Sequence, residues 1–414
     1  MDDHELQKVT AGFPSGWYER QDKEGKIVLS KTKVDTGDLS GILQKFYGNR
    51  IKRNILKLRI EIDNDPVPPE LIDQFYVFLS EHGYMCSQKY ATDAMLWVAQ
   101  KRNYHPIIQF LENLENDNSI IPADINKISS TYLDTDDDND LANNMMKIHL
   151  LGMVRRVFER GCKHDTALVL KGDQGIGKSS FFRILTGEEW FCDTLNDNIK
   201  DLLLTIQTCW VFELSELDGY TSKKDAAQIK SLLSSASDNF RRPYERVTDL
   251  HPRPSVFCAT CNRGDFLADT TGSRRFHVID LGNKKIDLDL VKKDKLKILK
   301  AAVIAYRKGE KNYLTATDQE RSTLNNRNYE QEHPFMSALY NWTNREGNRI
   351  EFNEGFSLRM ALIMSGCRAE HSITDADVKK AADCMRKLGY EPDKNQIRES
   401  GGKVRKWRKI SNQD

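Results

Sequence analysis

Gly172-Asp-Gln-Gly-Ile-Gly-Lys178-Ser179 combines the residue types and the spacing that cradle a polyphosphate. Its glycines let backbone N–H groups converge on phosphate oxygens, Lys178 can reach the β and γ oxygens, and the Ser179 hydroxyl can ligate Mg²⁺. The expected contacts run over Gly172, Asp173, Gln174, Gly175, Ile176, Gly177, Lys178, Ser179 and Ser180, with ATP and Mg²⁺ as the ligands. Context gives the pattern its weight. The apolar run Ala167-Leu-Val-Leu170 before it predicts a strand and Ser180-Phe-Phe-Arg-Ile-Leu185 after it a helix, the arrangement that aims such a loop at an anion. Kinases, GTPases, motors and ring ATPases share this loop, so triphosphate binding alone does not name the reaction.

Hydrolysis of a γ-phosphate needs carboxylates as well, one supporting the metal and one orienting the attacking water. Glu213 closes the apolar run Trp210-Val-Phe, and Glu216 follows in ELSEL. Both fall near the C-terminal end of a predicted strand, where open α/β sheets bind ligands. The two roles divide between them without the sequence assigning which is which, and Ser179 with Glu213 forms the candidate Mg²⁺ pair, partly through water. Asn262 ends a second apolar run, Val256-Phe-Cys-Ala-Thr-Cys261, and offers an uncharged group that can read the γ-phosphate; a structural turn before Arg263-Gly264 is the plainer account. In Thr271-Gly-Ser-Arg274-Arg275-Phe276, either Arg274 or Arg275 can project from a turn toward a neighbouring subunit's phosphate, or pair locally.

Two stretches carry the chemistry of nucleic-acid contact. Residues 239–253 hold Arg241, Arg242, Arg246 and Arg253 with Phe240 and Tyr244, and Pro243 and Pro252 argue against a helix. Arginines hold phosphates while aromatics stack bases, the combination that tracks a single strand. A hairpin whose arginines pair with local acids is the structural alternative. Residues 394–409 hold seven basic residues and one acid around Gly401-Gly402, with an alternation through Val404, Arg405, Lys406, Trp407 and Arg408 that predicts a strand. Preceded by an amphipathic helix from Thr374 to Gly389, this reads as a winged-helix-like module presenting Lys403, Arg405, Lys406 and Arg408 to DNA, or else as a basic solubilising tail.

These residues need a scaffold. Helical periodicity over residues 143–159, strands near 208–213 and 255–260, a helix over 223–235 and a strand over 275–281 predict an α/β fold: a P-loop core with a parallel sheet and helices on both faces, spanning 141–315. Residues 1–140 read as an α-rich accessory region, ending in the acidic connection Asp134-Thr-Asp-Asp-Asp-Asn-Asp140. Residues 316–414 read as a linker or solvated helix over the polar 317–332, followed by the C-terminal module. The length of 414 residues suits two or three domains, and 62 basic against 61 acidic residues leave no global field for nucleic acid, only local patches. The eight dispersed cysteines suit reduced thiols more than a disulfide framework, and Cys258-Ala-Thr-Cys261 lacks the second pair a zinc site needs. No apolar run approaches the roughly 20 residues of a membrane helix, and Met1-Asp-Asp-His-Glu-Leu lacks the features of a signal peptide, so a cytoplasmic location is expected.

Taken in order, GDQGIGKS, WVFELSEL, FRRPYER, VFCATCN and GSRRF resemble the virulence-associated protein E family, helicase-like ATPases of phages, prophages and mobile islands. The lead-in LLGMVRRVFERGCKHDTALVLKG, the later AAVIAYRKGEKNYL and the LGYEP and GGKVRKW segments are similar to it as well. The resemblance implies an AAA+ ATPase akin to superfamily 3 helicases, assembled as a homo-oligomeric, hexameric ring and hydrolysing ATP between subunits during DNA replication. It places phosphate binding on Gly177, Lys178 and Ser179, the Walker B acids on Glu213 and Glu216, the sensor on Asn262, the arginine finger on Arg274 or Arg275, and a DNA-contacting hairpin on residues 241–253. Phe276-His277 departs from the expected aromatic pair, and the first 140 residues show no carboxylate set for the primase domain of longer relatives. The expected function is an ATP-dependent DNA helicase or translocase; the alternative is an ATP-regulated replication initiator that binds DNA without unwinding it, and a monomeric kinase is a third class.

Overall fold

A computed structural model describes residues 10–136, 140–194, 198–215, 217, 223–241, 248–267, 270–330, 334–345, 355–399 and 402–410. The chain divides into two compact units, one through Asn328 and one from Tyr329.

The first unit opens with β1 (Trp17–Gln21) and β2 (Ile27–Lys33), α1 (Thr36–Tyr47), β3 (Ile51–Asn54), β4 (Arg59–Ile62), β5 (Asp65–Pro66), α2 (Pro69–Glu81), β6 (Tyr84–Met85), α3 (Gln88–Gln100) and β7 (Asn103–Tyr104). The strands form two sheets, β1-β2-β6 and β5-β4-β3-β7, around a core that includes Leu39, Leu43, Phe75, Leu79 and Met95. This corrects the α-rich expectation: the region is mixed α and β. Three of these strands, β5, β6 and β7, have two residues each, too few for alternation to register in the sequence.

Next come α4 (Pro106–Asn116), α5 (Ile128–Tyr132) and α6 (Asp140–Phe158). In the acidic connection before α6, Asp134 and Asp136 lie 3.6 and 3.9 Å from Lys284. The layer that carries the glycine-rich turn follows: β8 (Ala167–Lys171), α7 (Lys178–Thr186), β9 (Phe191–Cys192), α8 (Ile199–Gln207), β10 (Val211–Leu214), α9 (Lys223–Ser234), β11 (Ser237–Phe240), β12 (Asp249–Pro252), β13 (Val256–Cys261), a 3-10 turn (Thr270–Arg275), β14 (Phe276–Asp280), α10 (Leu288–Arg307) and α11 (Ala316–Asn326). Five strands form one sheet in the order β14-β8-β13-β10-β9, and every neighbouring pair is parallel. The strand that precedes the glycine-rich turn, β8, is thus interior, and the central β13 lies between it and the acid-bearing β10. Parallel strands buried on both faces read as continuous apolar runs, and Leu168, Val169, Phe212, Val211 and Cys258 are all buried. Trp210 enters the sheet with its indole N–H donating to Met153 O of α6 at 2.9 Å.

Residues 317–332 were expected to be a polar linker or solvated helix. Most of that span is α11, with Ser322 and Asn326 fully buried. Asn326 Nδ2 donates to Ser273 O at 2.7 Å and Phe276 O at 2.9 Å, so its polarity serves a buried slot lined by backbone carbonyls.

The second unit holds α12 (Phe335–Thr343), α13 (Leu358–Met364), α14 (Asp375–Lys387) and the antiparallel pair β15 (Tyr390–Glu399) and β16 (Gly402–Lys409). Thr374 and Asp377 form a capping box at the start of α14. Phe356 bridges Trp407 antiparallel, and both rings join Leu339, Trp342 and Met385 in a separate core. Among the described residues no helix is long and apolar enough to cross a membrane.

Candidate functional site

The glycine-rich turn leaves β8 at the sheet's C-terminal edge and bends sharply into α7. Gly175 and Gly177 sit at φ +82° and +98°, a left-handed conformation that costs glycine nothing and other residues much more. Gly172 is fixed by space: an added Cβ would stand 2.7 Å from both Gly282 O and Ile176 Cδ1. The loop's frame is tied on its outer side by Asp173 N to Gly282 O at 2.8 Å and Ile286 N to Ile176 O at 3.0 Å.

Lys178 opens α7 and is buried. Its ammonium donates to Gly172 O and Asp173 O at 2.7 Å each and to Asn262 Oδ1 at 2.9 Å. Asn262, directly after β13, therefore meets the loop lysine across a sequence separation of 84 residues. One residue along α7, Ser179 Oγ donates to Glu213 Oε1 at 2.7 Å. The same carboxylate oxygen accepts from Thr260 Oγ1 at 2.7 Å. Glu213 is 0% exposed, and its other oxygen, Oε2, is buried without a partner. A buried carboxylate oxygen with nothing to accept from is a place for a cation or its bound water.

Thr260 was not singled out from the sequence, although the signal existed. Glu213 pairs with Cys258 in the parallel register, so Thr260, two residues further, projects on the same side as Cys258. Cys258 and Cys261 are themselves buried free thiols, and burial pushes Cys258 well above its ordinary value, which keeps it a neutral packing group.

The arginine turn precedes β14 and is held from behind by the two Asn326 bonds. Arg274 is exposed, whereas Arg275 is half-buried and donates through Nε to Ser234 Oγ of α9 at 3.0 Å. Glu216 lies outside the described residues.

The basic insertion is a hairpin, with β11 and β12 paired from Ser237↔Pro252 to Phe240↔Asp249. Arg241 is exposed just beyond β11; Arg242, Tyr244 and Arg246 lie outside the described residues. Arg253 corrects the sequence expectation, because it is 0% exposed and cannot face DNA. Its guanidinium pairs with both oxygens of Asp238 and donates to Leu232 O, and Gln207 Nε2 adds a bond to Asp238 at 2.8 Å. The local-pairing alternative therefore holds for this arginine.

On β16, Arg405 and Arg408 are exposed and Lys406 is half-buried. Arg408 pairs with Asp393 at 3.1 Å, and Trp407 faces inward under the Arg386 guanidinium, 5.3 Å from the ring centre. The Lys403 side chain lies outside what is described.

Among solved structures, the A form apo structure of the NrS-1 C-terminal region is similar at 12% identity with a TM-score of 0.49, covering 91% of this chain and 100% of that one. The apo structure of the NrS-1 C-terminal region (305–718) is similar at 13% identity and a TM-score of 0.45, covering 90% and 98%. No curated protein matches the chain. The model of the virulence-associated protein E-like domain matches residues 111–333, a span that includes the phosphate loop, Glu213, Asn262, the arginine turn and the Asn326 clamp. That is more than half of the 414 residues, and the chain belongs to the virulence-associated protein E-like family.

Proposed function

We propose that this protein is an ATP-hydrolysing DNA helicase or translocase of AAA+ type that serves replication of a phage or other mobile element, with each ATP site shared between subunits of a ring. The observation that carries the reading is the convergence of Lys178, Ser179, Glu213 and Asn262 at one edge of the parallel sheet. Family membership supports the setting in a mobile element's replication.

The residues fit a magnesium triphosphate. The unpartnered Glu213 Oε2 is the test, since two hydroxyls hold the carboxylate by its other oxygen and leave this one aimed at a ligand. Bound Mg²⁺ would neutralise charge on the β and γ oxygens. Ser179 would ligate it, and Glu213 would support it through water. Lys178 would exchange its neutral carbonyl acceptors for anionic phosphate oxygens, which form the stronger charge-assisted bonds. Asn262, now held by Lys178, is positioned to read the γ-phosphate, and Glu216 is the second candidate for orienting water.

Arg274 takes the role of finger, because it is exposed on a clamped turn while Arg275 is occupied with Ser234 of its own subunit. Arg241, with Arg242, Tyr244 and Arg246, would track single-stranded or forked DNA, and the helix-then-hairpin geometry of the second unit supports a winged-helix role for Arg405. Arg274→Ala should lower ATP turnover on the order of 10³-fold. Mixing it with Lys178→Ala chains should restore part of the activity, because each chain supplies the half that the other lacks; no recovery in mixed oligomers rejects the shared site. An oligomeric preparation that hydrolyses ATP but never separates a forked duplex rejects unwinding and leaves the ATPase standing.

A further inference from the structure

The C-terminal end of α9 touches two regions that such a reaction has to connect. On one side lies the arginine turn. Ser234 Oγ accepts from Arg275 Nε at 3.0 Å and donates to Lys230 O at 2.7 Å, and the Lys230 side chain packs so closely on Gly272 that an added Cβ would stand 2.5 Å from Lys230 Cε. On the other side lies the root of the β11–β12 hairpin, where Arg253 donates to Leu232 O and its backbone N–H to Ala236 O at 2.9 Å.

The root is stiff. Arg253 and Asp238 are both buried and paired, and separating them would strand two charges away from water. Gly161 N also donates to Arg253 O at 3.0 Å. The described root of the hairpin is thus joined to the end of α9 through Arg253 and its pairing with Asp238.

We propose that residues 230–234 are the coupling element through which the arginine turn's engagement with nucleotide sets the hairpin's grip on DNA, with Ser234 as its positioning residue. This rests on the DNA-translocating ATPase reading. Ser234 is exposed, so Ser234→Ala removes the acceptor for Arg275 without opening the core.

The test measures binding of the full chain to a fluorescent single-stranded oligonucleotide, once with a slowly hydrolysed ATP analogue and once with ADP. In the wild type the two affinities should differ by roughly fivefold or more. The ratio should collapse toward one in Ser234→Ala and persist in Ser234→Thr, which keeps the hydroxyl, while DNA-free ATP turnover of the alanine variant stays within about twofold of wild type. A merely structural serine would not move the ratio. A wild-type ratio preserved in Ser234→Ala, or lost equally in Ser234→Thr, overturns the coupling. A wild-type ratio of one overturns it too, while leaving ATP hydrolysis intact; a wild type that turns over no ATP rejects the underlying reading instead.

Discussion

Glu213 and Asp238 are both buried carboxylates in the same unit, and their surroundings differ in one respect. Both oxygens of Asp238 are engaged, by Arg253 and by Gln207. Only one oxygen of Glu213 is engaged, by Ser179 and Thr260, and the other has no partner. A buried charge whose hydrogen bonds are complete is part of the scaffold. One left incomplete keeps an oxygen open to a further donor or a cation. Burial alone does not distinguish the two carboxylates; the completeness of their hydrogen bonding does.

The sharpest way to break the contrast is a pair of substitutions. Glu213→Gln keeps an oxygen for the two hydroxyls and removes the charge, so ATP turnover should fall on the order of 10²–10⁴-fold while ATP binding and the denaturant midpoint hold. Asp238→Ala strands the Arg253 guanidinium in the interior and should cost about 3–5 kcal/mol of stability, with turnover per folded molecule near wild type. Steady-state turnover and urea unfolding on both variants decide it. If Glu213→Gln unfolds as readily as Asp238→Ala, the carboxylate is scaffold after all.

A third group of buried ionisable side chains follows neither pattern and predicts a smaller effect per residue. His149, His164 and His277 are buried and keep unpartnered ring nitrogens. Burial pushes His149 down to about 3 and His277 to about 4, and lowers His164 well below its ordinary value. These rings stay neutral in the folded chain while the unfolded chain takes up protons below pH about 6.5. Stability should therefore be level above about pH 7 and decline as pH falls from about 6.5 toward 4.5, by up to about 1.4 kcal/mol per pH unit for each histidine. Urea midpoints across that range measure the slope, and His149→Phe should remove about a third of it. A flat profile would mean the imidazoles are charged in the folded state, making them partners still to be found.

How much of this was legible in the sequence depended on how far apart the cooperating residues lie. The strand, glycine-rich turn and helix around Lys178 were readable because the glycines, Lys178 and Ser179 are contiguous and the flanking runs announce the strand and the helix. Arg253 was not, because the same residue type serves DNA or a buried acid, and the deciding partners, Asp238 and Gln207, become neighbours only on folding. Asn326 was hidden for a related reason. A polar residue in a polar stretch reads as solvated, and only the carbonyls of Ser273 and Phe276 reveal a buried slot. Thr260 stood between these cases, recoverable from strand parity once β10 and β13 were known to be neighbours.

The smallest effect carries the comparison to the second unit, where two arginines of one strand differ in the same way at the surface. Arg408 is paired with Asp393 at 3.1 Å, and both groups are substantially exposed; Arg405 forms no ion pair among the described residues, and its side chain is exposed. An exposed pair is worth about 1 kcal/mol or less, so Asp393 dilutes the attraction of Arg408 for phosphate without abolishing it. If this hairpin contacts DNA, Arg405→Ala should weaken binding a few-fold and lower the salt slope by roughly one counterion. Arg408→Ala should do less, since Asp393 already offsets part of that arginine's attraction for phosphate, and Asp393→Asn should strengthen binding slightly. Fluorescence titrations at several salt concentrations would show the order, and equal losses from both arginines would mean that local pairing does not govern which charge DNA meets.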